Sequence, residues 1–205
     1  MRPHLSFLLL ATLGLSAQEN PGGNRMGIGL SVLSPMDSWG SRFDPGFQAG
    51  LQIHFNRESR HLGRLRIDYL QADSTRPILT GTQGVWNGST WVQTPLLADS
   101  RMEAYAIAYE WMPHLEQHSH SGLFGIFGVG GTLWNETLRN RAFYGGSDTE
   151  VEWGFTLSAG LGWRFNPHAA VEARFVNSDI AFHGRHNYNY GPTRSFLTFG
   201  TSLRF

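Results

Sequence analysis

Ten charged side chains share one phase of a two-residue alternation: Arg64, Arg66, Asp68, Glu110, Glu150, Glu152, Arg164, Glu172, Arg174 and Arg204. Five are basic and five acidic. Alternate residues of a strand point to opposite faces, so all ten are expected on one face of their strands. Opposite charges crowded onto an enclosed face must pair, because a buried unpaired charge is far costlier than a paired one. Two kinds of chemistry follow: a static plug of ion pairs and hydrogen bonds, or a gated path for protons or ions. The plug is the simpler expectation. Which acid meets which base depends on strand stagger, which sequence alone does not fix. Arg25 and Arg194 take the same phase at strand ends, whereas Arg101 and Glu103 take the opposite one.

Other reactive residue types lack the company that chemistry needs. His114, His118 and His120 cluster in one turn, and His183 and His186 lie in the last loop. Such a cluster is able to hold zinc or nickel, but no carboxylate spacing accompanies it. These histidines are expected in solvated polar turns, with no metal and no cofactor. His118-Ser119-His120-Ser121 has the types of a base and a nucleophile, but in a short turn. Asn87-Gly88-Ser89 and Asn135-Glu136-Thr137 match the glycosylation pattern and read as ordinary loop and strand-end residues. Cysteine is absent, which excludes disulfides, thiolate metal sites and cysteine nucleophiles. Sixteen basic residues, every one Arg, balance sixteen acidic ones. Nothing in that balance favours nucleic acid.

The elements that position these charges are strands. Residues 1–17 form a positively charged start, a short apolar run from Leu5 to Leu15 and a small residue before Gln18. This is the form of a signal peptide, too short to span a bilayer, so residues 18–205 are expected as the mature domain. After it, alternation recurs over about 25–34, 45–56, 62–72, 101–112, 122–135, 150–165, 169–178 and 193–205. The 150–165 segment is clearest, with Val151, Trp153, Phe155, Leu157, Ala159, Leu161, Trp163 and Phe165 set against Glu152, Gly154, Thr156, Ser158, Gly160, Gly162 and Arg164. The 122–135 segment is ambiguous, because Phe124 and Ile126 fall in its polar phase.

Side-chain size says which face turns outward. The polar phase is rich in Gly, Ala, Ser and Thr, as in Ala104, Ala106, Ala108, Gly160 and Gly162. Solvent-facing positions rarely need to be that small, whereas the inside of an eight-stranded barrel is narrow. The apolar phase carries Tyr69, Tyr109, Trp111, Trp153, Trp163, Phe165 and Phe205 near strand ends, where rings form interfacial girdles. Short links follow every second strand and long ones the others, at 35–44, 73–100, 136–149 and 179–192. Short turns at one end and long loops at the other describe an eight-stranded antiparallel up-and-down transmembrane barrel. Within 73–100, Val85 to Val92 reads as a hairpin around a type I′ Asn-Gly turn. Counting its arms as membrane strands gives ten, but they are too short to span. A soluble lipocalin-like barrel is the other alternative.

The chain resembles the small OmpA-type and OmpX-type outer-membrane barrels of Gram-negative bacteria. The resemblance rests on the final strand, Ser195 to Phe205, whose Phe199, Leu203 and terminal Phe205 are similar to the signal read by the barrel-assembly machinery. Leu161-Gly162-Trp163-Arg164-Phe165-Asn166-Pro167-His168 also resembles strand-turn segments of that family. The resemblance implies a monomer in the outer membrane, with outer-membrane lipids and the assembly machinery as partners. No wall-anchoring domain is expected. Some small barrels of this kind deacylate lipid A through a His-x-Ser-Asn motif. The matching stretch here, Arg174-Phe175-Val176-Asn177-Ser178-Asp179, keeps Asn177 but has Arg174 for the His and Val176 for the Ser. The expectation is therefore no enzyme, but a polar, ion-paired closed lumen with a structural or surface-interaction role. A lipid-modifying enzyme and a small-solute channel are the alternatives.

Overall fold

Alternation of large apolar and small polar residues produces strands that close on themselves. The computed structural model describes residues 25–55, 61–115, 121–140, 147–180 and 194–205. The expected signal peptide (1–17) and His118, His120, His183 and His186 lie outside them. The described elements are β1 (Arg25–Pro35), a short helix α1 (Asp37–Gly40), β2 (Gly46–Phe55), β3 (His61–Asp73), β4 (Ile78–Trp86), β5 (Trp91–Pro113), β6 (Gly122–Asn140), β7 (Ser147–Asn166), β8 (Ala169–Ile180) and β9 (Ser195–Arg204). Every pairing is antiparallel. Pairing of β1 with β9 and of β3 with β5 closes an eight-stranded ring, from which β4 is excluded. The choice of eight over ten strands holds.

The outward face is apolar and uncovered. Val32, Trp153 and Leu161 are each more than half exposed, and so are Met26, Ile67, Ile107 and Phe127. Rings cluster near the strand ends: Phe47 and Tyr69 at 5.8 Å and Tyr69 and Tyr105 at 5.4 Å toward the long loops, Trp111 and Phe127 at 5.7 Å toward the short turns. Water would not tolerate such a surface, whereas lipid requires it. The soluble lipocalin-like alternative is thereby excluded.

Several boundaries move. The expected 136–149 link is mostly paired strand, with β6 and β7 in register from Gly122↔Arg164 through Arg139↔Ser147. β5 begins at Trp91, because its outer part pairs with β4 from Ile78↔Ala98 to Trp86↔Trp91. The connection between these arms is not the two-residue type I′ turn expected. It has four residues, 87–90, in which Asn87 Oδ1 accepts from the Ser89 and Thr90 amides at 3.0 and 2.9 Å. Only Gly88 there takes a positive φ, 98°, so the side chain of Asn87 organises the turn through its carbonyl rather than through a left-handed backbone. At the opposite end Asn166 does the same for β7–β8, accepting from the His168 and Ala169 amides.

The β4–β5 hairpin is an appendage of the wall. Excising residues 80–95 is expected to leave the amount of heat-modifiable folded barrel unchanged, because closure entropy depends weakly on loop length, about 0.6 kcal/mol per doubling. Gel mobility before and after heating checks this; loss of the folded band would place these residues in the wall.

Candidate functional site

The middle of the barrel is a layer of three guanidiniums and three carboxylates. Register sets its first contact: Arg64 on β3 is the direct partner of Glu110 on β5. Arg64 Nε donates to Glu110 Oε2 at 2.6 Å, while Nη1 and Nη2 donate to the two oxygens of Glu172 on β8 at 2.5 and 2.8 Å. Arg174 Nη1 donates to the other Glu110 oxygen at 2.9 Å. Arg66 forks onto Asp68 at 3.1 and 2.9 Å and stands 3.8 and 3.6 Å from Glu110 and Glu172. Gln52 and Gln48 add neutral acceptors to Arg64 (3.2 Å) and Arg174 (3.4 Å). All six charges are buried.

Glycine and alanine make room for these side chains. Glu172 lies in register between Gly162 and Gly200, Glu110 has Gly128 beside it, and Asp68 lies between Gly50 and Ala106. A Cβ added at Gly160 would come within 2.7 Å of Arg174 Cγ. Large and small inward residues therefore alternate around the ring, as a narrow barrel demands.

Apolar layers lie above and below. Toward the long loops, α1 folds inward and delivers Trp39 and Phe43 onto Trp134 and Phe196. Trp39 stands edge-on to Trp134 at 5.4 Å and lies 5.8 Å from Phe196. Leu33, Leu70, Met102 and Val176 complete this layer. Backbone bonds from Met36 to Ser195 and from Thr75 to Arg42 hold the segment down. Asp37 enters the helix at φ 55°, a left-handed conformation that Asp adopts more readily than most residues. At the turn end Leu62, Met112, Phe124, Ile126 and Ala170 form the second layer. The ambiguous phase of Phe124 and Ile126 is resolved: both point inward and are fully buried.

The structure brings six of the ten predicted charges into one network: Arg64, Arg66, Asp68, Glu110, Glu172 and Arg174. Arg164 and Arg204 point inward lower down, and Arg164 lies over the Phe124 ring at 5.4 Å. Glu152 differs from expectation. It lies at the loop-end rim, 41% exposed, and pairs with Arg194 at 2.6 Å. Glu150 pairs in backbone register with Glu136 in the outer part of β7. His114 is a further correction: it is buried, stacked on Phe124 at 5.4 Å, rather than solvated. Ser178 accepts from Trp134 Nε1 at 2.9 Å and sits 3.0 Å from the Thr156 hydroxyl; His54, His114 and His168 stand at the other end of the barrel. Phe199, Leu203 and Phe205 point outward along β9. Trp39, Phe43, Trp134 and Phe196 were missed. Their signal was present: two aromatics four residues apart in a loop, and two in the polar phase at loop-end positions.

An inside-out ring of eight strands, apolar outside and polar within, is the form of an outer-membrane barrel. The profile of the outer membrane protein beta-barrel domain matches residues 5–205. The chain belongs to that family. Solved outer-membrane barrels superpose on it at low identity. They include Ail of Yersinia pestis (14% identity, 89% of this chain and 97% of that one, TM-score 0.52). Neisserial surface protein A matches at 14% identity over 91% and 100%, TM-score 0.52, and OprG of Pseudomonas aeruginosa at 16% over 90% and 96%, TM-score 0.53. No curated protein sequence matches. This outer-membrane barrel is thus similar to its solved relatives in fold, and the family places it in the outer membrane.

Burial predicts a contrast between two acids of this barrel. Glu110→Ala removes the acceptor of Arg64 Nε and Arg174 Nη1 and should cost about 3–5 kcal/mol in a urea titration of the folded protein. Glu152→Ala, at the rim, should cost about 0–1 kcal/mol. Equal midpoints for both variants would mean that the middle layer is wet.

Proposed function

We propose that this protein is a non-enzymatic, closed-lumen outer-membrane barrel with a structural or surface-interaction role. The observation that carries this reading is the succession of filled layers: aromatic cap, ion-paired middle and apolar turn-end layer. A solute path would have to break the aromatic cap and the ion-paired middle at once. A lipid-modifying enzyme needs a nucleophile with its base within hydrogen-bond reach at the outer-leaflet edge. Ser178, the hydroxyl nearest the deacylase-like stretch, is instead tied to Trp134 and Thr156.

The surface role falls to the long-loop end. The β4–β5 hairpin continues for the seven residues from Leu97 to Trp91 beyond the last β5–β6 pair, roughly 23 Å at about 3.3 Å per residue. From Pro77 to Ala98 it contains no charged residue, and Trp86 and Trp91 are paired at its tip with ring centroids 5.7 Å apart. One Ail structure was determined with the heparin analogue sucrose octasulfate. An uncharged hairpin suits a neutral partner better than a polyanion. Assembly is proposed to proceed through the barrel-assembly machinery reading Phe199, Leu203 and Phe205, and the folded protein to remain monomeric.

Two measurements test the closed lumen and the absence of catalysis. The purified barrel should show no single-channel conductance in planar bilayers. The lipid A mass spectrum of a host should be the same with and without it. A discrete conductance supports a channel instead, and a mass shift an enzyme. Deleting Phe205 should lower the amount of folded barrel in the outer membrane more than deleting any single loop residue; equal amounts would remove the assembly signal.

A further inference from the structure

One wall of the turn-end interior carries side-chain donors that have no acceptor among the described residues. β1 presents Gly27 and Gly29 at its inward positions there, with Arg25 in the same phase at the start of the strand, in register with His54. On one side of this strip Gln52 (β2) is in register with Gly27; on the other, Arg204 (β9) is in register with the same glycine and Ser202 with Gly29. All three flanking side chains are buried, Arg204 at 7% exposure being the most accessible. Arg64 carries only donors, so the Gln52 atom facing it at 3.2 Å must be the amide oxygen. The NH2 end is thereby turned toward β1, where it stands so close to Gly29 that a Cβ there would collide with it. Gln52 Nε2, Arg204 Nη2 and Ser202 Oγ are all buried and without a hydrogen-bond partner. His54 Nδ1 has none either. The His54 ring must donate through Nε2 to the Gln52 oxygen, so in its neutral form Nδ1 is an acceptor and is not counted with them.

Charge points the same way as geometry. Arg204 lies among the fields of Arg164, Arg64 and Arg25, against Glu172. Both oxygens of Glu172 are already held by Arg64. A buried guanidinium donor two strands across from an unpaired amide NH2, with an unpaired hydroxyl two residues before it on β9, is short of an acceptor that carries negative charge.

We propose that the strip between β2 and β9 binds a small inorganic anion, of the halide or phosphate class, held by Arg204 Nη2, Gln52 Nε2 and the Ser202 hydroxyl over Gly27 and Gly29. The anion enters as the barrel closes and completes the hydrogen bonding of the turn-end half.

The test uses the folded, purified protein in detergent. Urea midpoints are compared in sodium chloride, sodium bromide, sodium phosphate and sodium gluconate at equal ionic strength. Chloride and bromide, or phosphate, should raise the midpoint saturably over gluconate, and which arm responds identifies the anion. Crystals grown with bromide should show an anomalous peak between Gln52, Ser202 and Arg204 if the halide arm responds. Ser202→Ala should raise the concentration for half the effect about tenfold, as expected for one hydrogen bond to a charged group. Gln52→Glu carries its own anion to the same place. It should abolish the salt response and match in gluconate the midpoint that the parent reaches in the stabilising salt. If Gln52→Glu fails to assemble, Ser202→Ala still decides. Equal midpoints in all four salts would overturn the proposal and leave water as the partner of these donors. So would a response that does not saturate, or one that Gln52→Glu or Ser202→Ala retains in full.

Discussion

Arg64 joins three strands with one planar group. Its Nε reaches Glu110 on β5 and its fork takes Glu172 on β8, from the far side of the ring. The barrel interior is organised around that geometry. A lysine presents one compact charge and cannot hold two carboxylates along separate directions, whereas a guanidinium does so in a fixed plane. The chain contains no lysine at all, and its interior uses arginine for every buried cation. The layer's neighbours yield space: a Cβ at Gly128 would come within 3.0 Å of Glu110 Cγ, while one at Gly162 would strike the Phe124 ring of the layer below.

The six charges of the ion layer are all buried, Glu172 being the most accessible at 7% exposure. Paired charges in water are worth little, and the same pairs away from water become costly to break one partner at a time. The apolar layers around the network supply that burial. Trp39 and Phe43 arrive from the first loop to close the upper side, and Phe124 and Ile126 fill much of the lower. Neither apolar layer is needed to hide charge from lipid, which the wall already does. Their effect is to separate the ion layer from the water at either mouth.

The wall was legible in the sequence because lipid enforces it residue by residue. A charge facing hydrocarbon costs about 2–4 kcal/mol at mid-depth, so alternation is kept strictly where strands cross the membrane. Arg101 breaks the phase at a place where it pairs with Asp73 across the β3–β5 register, at the loop end. Beyond the membrane that pressure disappears. Polar residues at 136–149 then read as loop, although backbone pairing continues to Arg139↔Ser147. Interior partners were not legible. Arg174 meets Glu110 from a strand 64 residues away, and only the stagger of the closed ring sets that distance. The aromatic cap was hidden for a different reason: Trp39 sits in a connection, where periodicity carries no information about direction.

The same reasoning explains why the turn-end half differs between its two sides. β3, β5, β6 and β8 place Leu62, Met112, Phe124 and Ala170 at this level, and these meet one another as an ordinary apolar core. β1, β2, β7 and β9 instead place Gly27, His54, Arg164 and Arg204 there. An apolar residue at position 204 would serve the closure of the barrel better than a guanidinium does, since closure needs only volume. Arg204 is also adjacent to Phe205 at the end of β9, where its backbone amide bonds His168 and that of Phe205 bonds Met26. Arg204 Nη2 has no hydrogen-bond partner among the described residues, at a point where the ring is sealed on both sides, so the guanidinium carries a desolvation cost that an apolar side chain would avoid.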